Sequence, residues 1–108
     1  MISLADGFLH ALARLSPADV KRTALFLDKL VHQVDAAGFR PERVHDAADP
    51  RIHSFKVTHD LRAIVHVEGE DLVLLWVDRH DRAYVWARAH CMDCDAREGV
   101  VQVVTPGS

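Results

Sequence analysis

The hydrophobic period of this chain changes once, and that change fixes its class. From Pro17 to Ala37 apolar residues fall at Val20, Ala24, Leu27, Val31 and Val34, alternately four and three apart. That is a helical stripe, widened by Phe26 and Leu30. From Ile52 onward the pattern turns to short β-branched runs, at Ile52–Val57, Leu61–Val67 and Leu72–Val77. Thr58-His59-Asp60 and Glu68-Gly69-Glu70-Asp71 separate them, and both are turn chemistry. The runs therefore predict a three-stranded antiparallel meander. In the middle run Leu61, Ala63, Val65 and Val67 share one face, while Arg62, Ile64 and His66 share the other. The third run is apolar throughout, as expected of a central strand or one covered on both faces.

Ala5 to Arg14 reads as a first helix, with Phe8, Leu9 and Leu12 on one face. Ser16 at the N-cap and Pro17 at the first helical position start a second helix, with Asp19 as a short variant of the capping box. Gly38 is its natural stop, so the second helix is expected over about residues 17 to 37. The short link makes the two helices antiparallel neighbours. Residues 38 to 51, with two prolines and several charges, read as a loop. Asp78 to Arg88 reads as a charged loop entering a short helix, and Val100 to Val104 as an edge strand able to recruit another chain. The layout is α+β, with a helix pair at about 5–37, a sheet and C-terminal helix at about 52–90, and one domain over 1–108.

Composition narrows the function. At 108 residues and 49% apolar the chain is one folded domain, not a disordered segment. No apolar run nears the roughly 18–20 residues of a membrane span, and no basic segment precedes an apolar block at the N-terminus. No membrane association or secretory signal is therefore expected. The net charge is −3, so nucleic acid can be held only by a local basic patch. Two cysteines are too few for a disulfide-stapled fold, which points to a reducing, cytoplasmic setting. His90-Cys91-x-x-Cys94 offers half of a zinc site, but no second cysteine pair completes it, and no metal is expected.

Three ordered motifs then stand out: Ser54-Phe55-Lys56-Val57, Leu61-Arg62-Ala63-Ile64-Val65, and Arg79-His80-Asp81-Arg82-Ala83-Tyr84. In this order, after a helix pair, they resemble the RelE/ParE toxin superfamily over about residues 5 to 90. That resemblance implies two N-terminal helices packed on a small curved antiparallel sheet, with a short helix after the last meander strand. The string from Asp78 to Ala87 is also similar to the RelE-like module that precedes UvrD/Rep-type superfamily 1 helicase domains. The chain holds no Gly-x-x-x-x-Gly-Lys-Ser/Thr phosphate loop, so it would be an excised module or a stand-alone relative.

The resemblance implies a metal-independent chemistry with no cofactor, in which an RNA 2′-hydroxyl attacks the adjacent phosphate. Lys56 and Arg62 would clamp phosphate, with Arg holding two oxygens at once. His80 would move the proton, since imidazole titrates near neutrality. Tyr84 would stack on a base or assist proton transfer. Arg79, Arg82 and, at the edge, His66 would add nucleic-acid contacts. Asp78 and Asp81 would repel phosphate at contact distance. With the acidic net charge, they favour an accessory module that touches DNA through a helicase core. The alternatives are a ribosome-dependent mRNA interferase held by an antitoxin protein, and a ParE-like gyrase-binding toxin.

Overall fold

The computed structural model describes residues 1–32, 41–45, 47 and 49–89, and the backbone of 101–104. The fold is α+β. The order is β1 (Ile2–Ala5), α1 (Asp6–Ala13), α2 (Pro17–His32), β2 (Glu42–Arg43), β3 (Ile52–Lys56), β4 (Leu61–Glu68), β5 (Asp71–Arg79), α3 (His80–Ala89) and β6 (Val101–Val104). The strands form one sheet in the order β2-β3-β4-β5-β1-β6.

The meander is where the alternation placed it. β3 and β4 pair antiparallel with Phe55 opposite Ala63, and β4 and β5 pair antiparallel with Ala63 opposite Val77. Glu68 faces Asp71, leaving Gly69-Glu70 as the turn, and Gly69 takes the φ of 61° that glycine adopts without steric cost. β5, which carries the apolar run Leu72–Val77, is indeed central, between β4 and β1.

The sheet is mixed, not purely antiparallel. Ile2, Ser3 and Leu4 run parallel to β5, opposite Leu72, Val73 and Leu74. The first helix therefore starts at Asp6, and the stretch before it is strand. Leu4 and Ala5 carry good helix propensity, but a partner some 70 residues away overrides so weak a prior. Glu42–Arg43 likewise forms a two-residue strand against β3 within the expected loop. β6 pairs antiparallel with β1 at the sheet edge. The second helix is seen to His32; its expected extension to Ala37 and the Gly38 stop lie outside the described residues, as do His90, Cys91 and Cys94.

Two apolar layers lie on opposite faces. On one, Phe8 and Ala11 of α1 and Phe26 and Leu30 of α2 pack with Phe55, Ala63, Val65, Leu74 and Val77. On the other, Ala83 and Ala87 of α3 pack with Ile52, Ile64 and Leu75. The register slips between Ile64 and Val65, so Leu75 is an extra residue on β5. The bulge lets adjacent residues there serve both layers, and Trp76 packs against both.

The buried line of α2 is Thr23, Phe26 and Leu30; Leu27 and Val31 pack beside it as expected, while Ala24 is exposed and Thr23 is buried instead. Thr23 is buried without penalty because its hydroxyl donates to the Asp19 carbonyl at 2.8 Å. Ser16 caps the helix as expected, its Oγ accepting from the Asp19 N–H at 3.2 Å. The Asp19 carboxylate takes Arg22 Nη1 at 3.0 Å.

Candidate functional site

The residues singled out in the sequence separate into four places, set by how α3 lies on the sheet. Ala83 and Ala87 face inward. With 3.6 residues per turn, His80, Tyr84 and Arg88 then form one flank, while Arg82, Val85, Trp86 and Ala89 turn toward the other. The helix start is pinned by the His80 N–H, which donates to the Asp60 carbonyl at 2.8 Å.

The first place is the end of the sheet at the β3–β4 turn. Lys56 lies opposite Arg62, and Arg62 opposite Asp78, in one row across three strands. Both cations thus reach one end of the sheet, with an acid beside them. Lys56 is exposed, whereas Arg62 is half-buried. Its Nη1 is directed at the carbonyl oxygens of Thr58 at 2.8 Å, His59 at 3.1 Å and Leu61 at 3.0 Å. Strand alternation puts Arg79 on the face of Val77, away from Asp78.

The second place is the flank of α3 that faces β2 and β3. Here a groove of about 530 Å³ is lined by Glu42, Arg43, His45, His80, Tyr84 and Arg88. The Tyr84 and Ser54 hydroxyls hydrogen-bond at 3.0 Å, fixing the ring over β3. The His80 ring meets Tyr84 edge-on, centroids 4.6 Å apart. His80 Nδ1 donates to Asp81 Oδ1 at 3.0 Å, so a neutral imidazole keeps Nε2 as its acceptor nitrogen. Asp81 is 99% exposed, and water screens that pairing heavily. Arg43, His45 and Arg88 had no role in the sequence reading. No local pattern marks them, because only the packing of α3 on the sheet brings them together.

The third place is the opposite flank. Arg82 lines a groove of about 410 Å³ with Trp76, Asp78, Asp81, Val85 and Trp86. The two indoles stack there at 5.2 Å, 7° from parallel, so Trp86 packs α3 onto the sheet. Arg82 therefore stands among acids and apart from Tyr84 and His80.

The fourth place is His66, 2% exposed and four residues along β4 from Arg62. Its Nε2 is 3.8 Å from Asp49 Oδ2. Asp49 also accepts from Arg51, through N at 2.9 Å, Nε at 3.1 Å and Nη2 at 3.2 Å. Burial pushes the Asp49 carboxyl up; the hydrogen bonds and charge of Arg51, with the charge of His66, more than reverse this and hold it below the usual carboxylate value. The register thus places His66 in a buried polar cluster, away from the groove.

Among the described residues no group of three or more His, Cys, Asp or Glu side chains is placed to hold a metal ion. Nor is any helix long and apolar enough to cross a membrane. No protein family matches the sequence, and no curated protein is significantly similar to it.

Proposed function

We propose that this chain is a RelE-like, nucleic-acid-associated module of the kind that precedes UvrD/Rep-type helicases, acting in the cytoplasm. On this reading it contacts nucleic acid without cleaving it. The observation that carries the second statement is the position of Arg62. Cleavage through the 2′-hydroxyl needs cations fixed on the phosphorane, the largest single contribution in such sites. Arg62, the residue best suited to that task, has its Nη1 turned onto three carbonyls of its own turn.

The mRNA interferase is the second reading, and one observation favours it. Asp81 holds the His80 Nδ1 proton, which leaves Nε2 to accept the proton of an attacking 2′-hydroxyl. The oxygen would bond to phosphorus, the P–O5′ bond would break, and a second group would protonate the leaving oxygen. Such a toxin would work on ribosome-bound mRNA and be neutralised by an antitoxin protein. The ParE-like reading requires binding to gyrase and no RNA chemistry.

Expression in growing bacterial cells separates the three. The module reading predicts unchanged growth. Arrest relieved by His80→Ala would make the chain an interferase. Arrest with inhibited gyrase supercoiling would make it ParE-like.

A further inference from the structure

We infer that the groove between α3 and β2 is a binding site for single-stranded nucleic acid, with Arg43 and Arg88 as its phosphate contacts. The inference rests on the nucleic-acid-associated reading and gives that contact a place and a ligand form.

The stripe His80, Tyr84, Arg88 repeats every four residues along α3. At 1.5 Å per residue it covers about 12 Å. Arg43 of β2 and His45 just after it form the facing wall. The strand register explains why they meet. Glu42 pairs with Ser54, and Ser54 holds the Tyr84 hydroxyl at 3.0 Å. β2 thereby lies one strand beyond the bond that holds Tyr84, on the flank of α3 that carries the stripe. The outcome is a slot about two helical turns long with two guanidinium groups, two imidazoles and an aromatic ring, against one carboxylate in its lining.

This combination suits a single strand rather than a duplex. A charged groove that tracks the backbone, together with an aromatic ring that takes a base, is how unpaired strands are held without sequence readout. In a duplex the base faces are stacked on one another and out of reach of a ring. Arg43 and Arg88 are exposed, so their charges are available to a ligand, and His45 and His80 are exposed beside them as hydrogen-bonding rings. Guanidinium groups suit phosphate because each presents a planar fork of donors. The site also meets the requirement set by the net charge of −3, that binding depend on a local patch.

The test is fluorescence anisotropy of the 108-residue chain with labelled oligo(dT) and oligo(rU) and a labelled duplex, across a salt series. Wild type is expected to bind the single strands more tightly than the duplex. Arg43→Ala/Arg88→Ala should weaken binding at least tenfold and flatten the log–log salt dependence by about 1.4, the value for two released counterions on a single strand. Tyr84→Ala should cost about tenfold, and Tyr84→Phe, which keeps the ring, little. Glu42→Gln should tighten binding, and Arg22→Ala on α2 should change nothing. Single-strand binding that the double arginine variant leaves intact would overturn the groove while the nucleic-acid-associated reading stands. Binding to none of the three probes would overturn both. Preference for DNA or for RNA would identify which strand the module meets.

Discussion

Leu74→Ala is expected to lower stability by about 3 kcal/mol, bringing the melting temperature down by roughly 12–24 °C. Leu74 is fully buried at the centre of the sheet. It faces Val65 on β4 and Leu4 on β1. It shares a core with Phe8 of α1 and Phe26 and Leu30 of α2. Truncation removes the transfer free energy of the lost methyl groups. It also leaves a cavity bounded by strands on both sides, which cannot close readily. The same truncation at Leu25 is the control. Leu25 is 55% exposed on α2, and its loss should cost under about 0.5 kcal/mol. Chemical denaturation of both variants checks the pair. Equal effects at the two positions would mean that the helices do not lie on the sheet in this way.

The second large effect is at Asp49. Asp49→Asn is expected to cost about 2 kcal/mol near neutral pH, the scale of hydrogen bonds to a charged group. Arg51 is 40% exposed, which keeps the figure below that of a fully buried pair. The pH dependence separates charge from shape. The Asp49 carboxyl is held below its ordinary value in the fold. It therefore binds its proton less readily folded than unfolded. Its contribution is fully present above the unfolded value of about 3.9, and is lost as pH falls through the lower folded value. Wild type should lose stability below about pH 4, and Asp49→Asn should lose correspondingly less there. Parallel wild-type and variant curves would show that Asp49 carries no linked proton.

The elements legible in the sequence are those whose signals are local. The meander followed from alternation and two turns, and the start of α2 from Ser16 and Pro17. β6 was visible as the Val-rich run at 100–104. β1 was not, because its parallel partner is distant and its residues also suit a helix. The inward face of α2 was read from Phe26, Leu27, Leu30 and Val31, but Thr23 was missed on it because it is polar, and only the bond to the Asp19 carbonyl makes its burial cheap. The site was legible in part for the same reason. His80 and Tyr84, four apart on one helix, do share a flank. Arg82, two residues from each, falls on the other flank, where only the direction of α3 on the sheet puts it. Arg62 was read as a phosphate clamp from its charge, and the carbonyls of Thr58, His59 and Leu61 around its Nη1 are not visible in a sequence. His66 was placed beside Arg62 by strand alternation, but alternation does not disclose Asp49 beneath it. Arg43 and His45 belong to one segment and Arg88 to another, and only the fold brings the two together.

The central claim is that this chain meets nucleic acid and does not cut it. The most direct measurement is the integrity of mRNA in a reconstituted translation reaction, with excess wild-type protein beside His80→Ala. The account predicts intact message in both. Message cut by wild type and spared by His80→Ala would contradict it and place His80 in a working nuclease site.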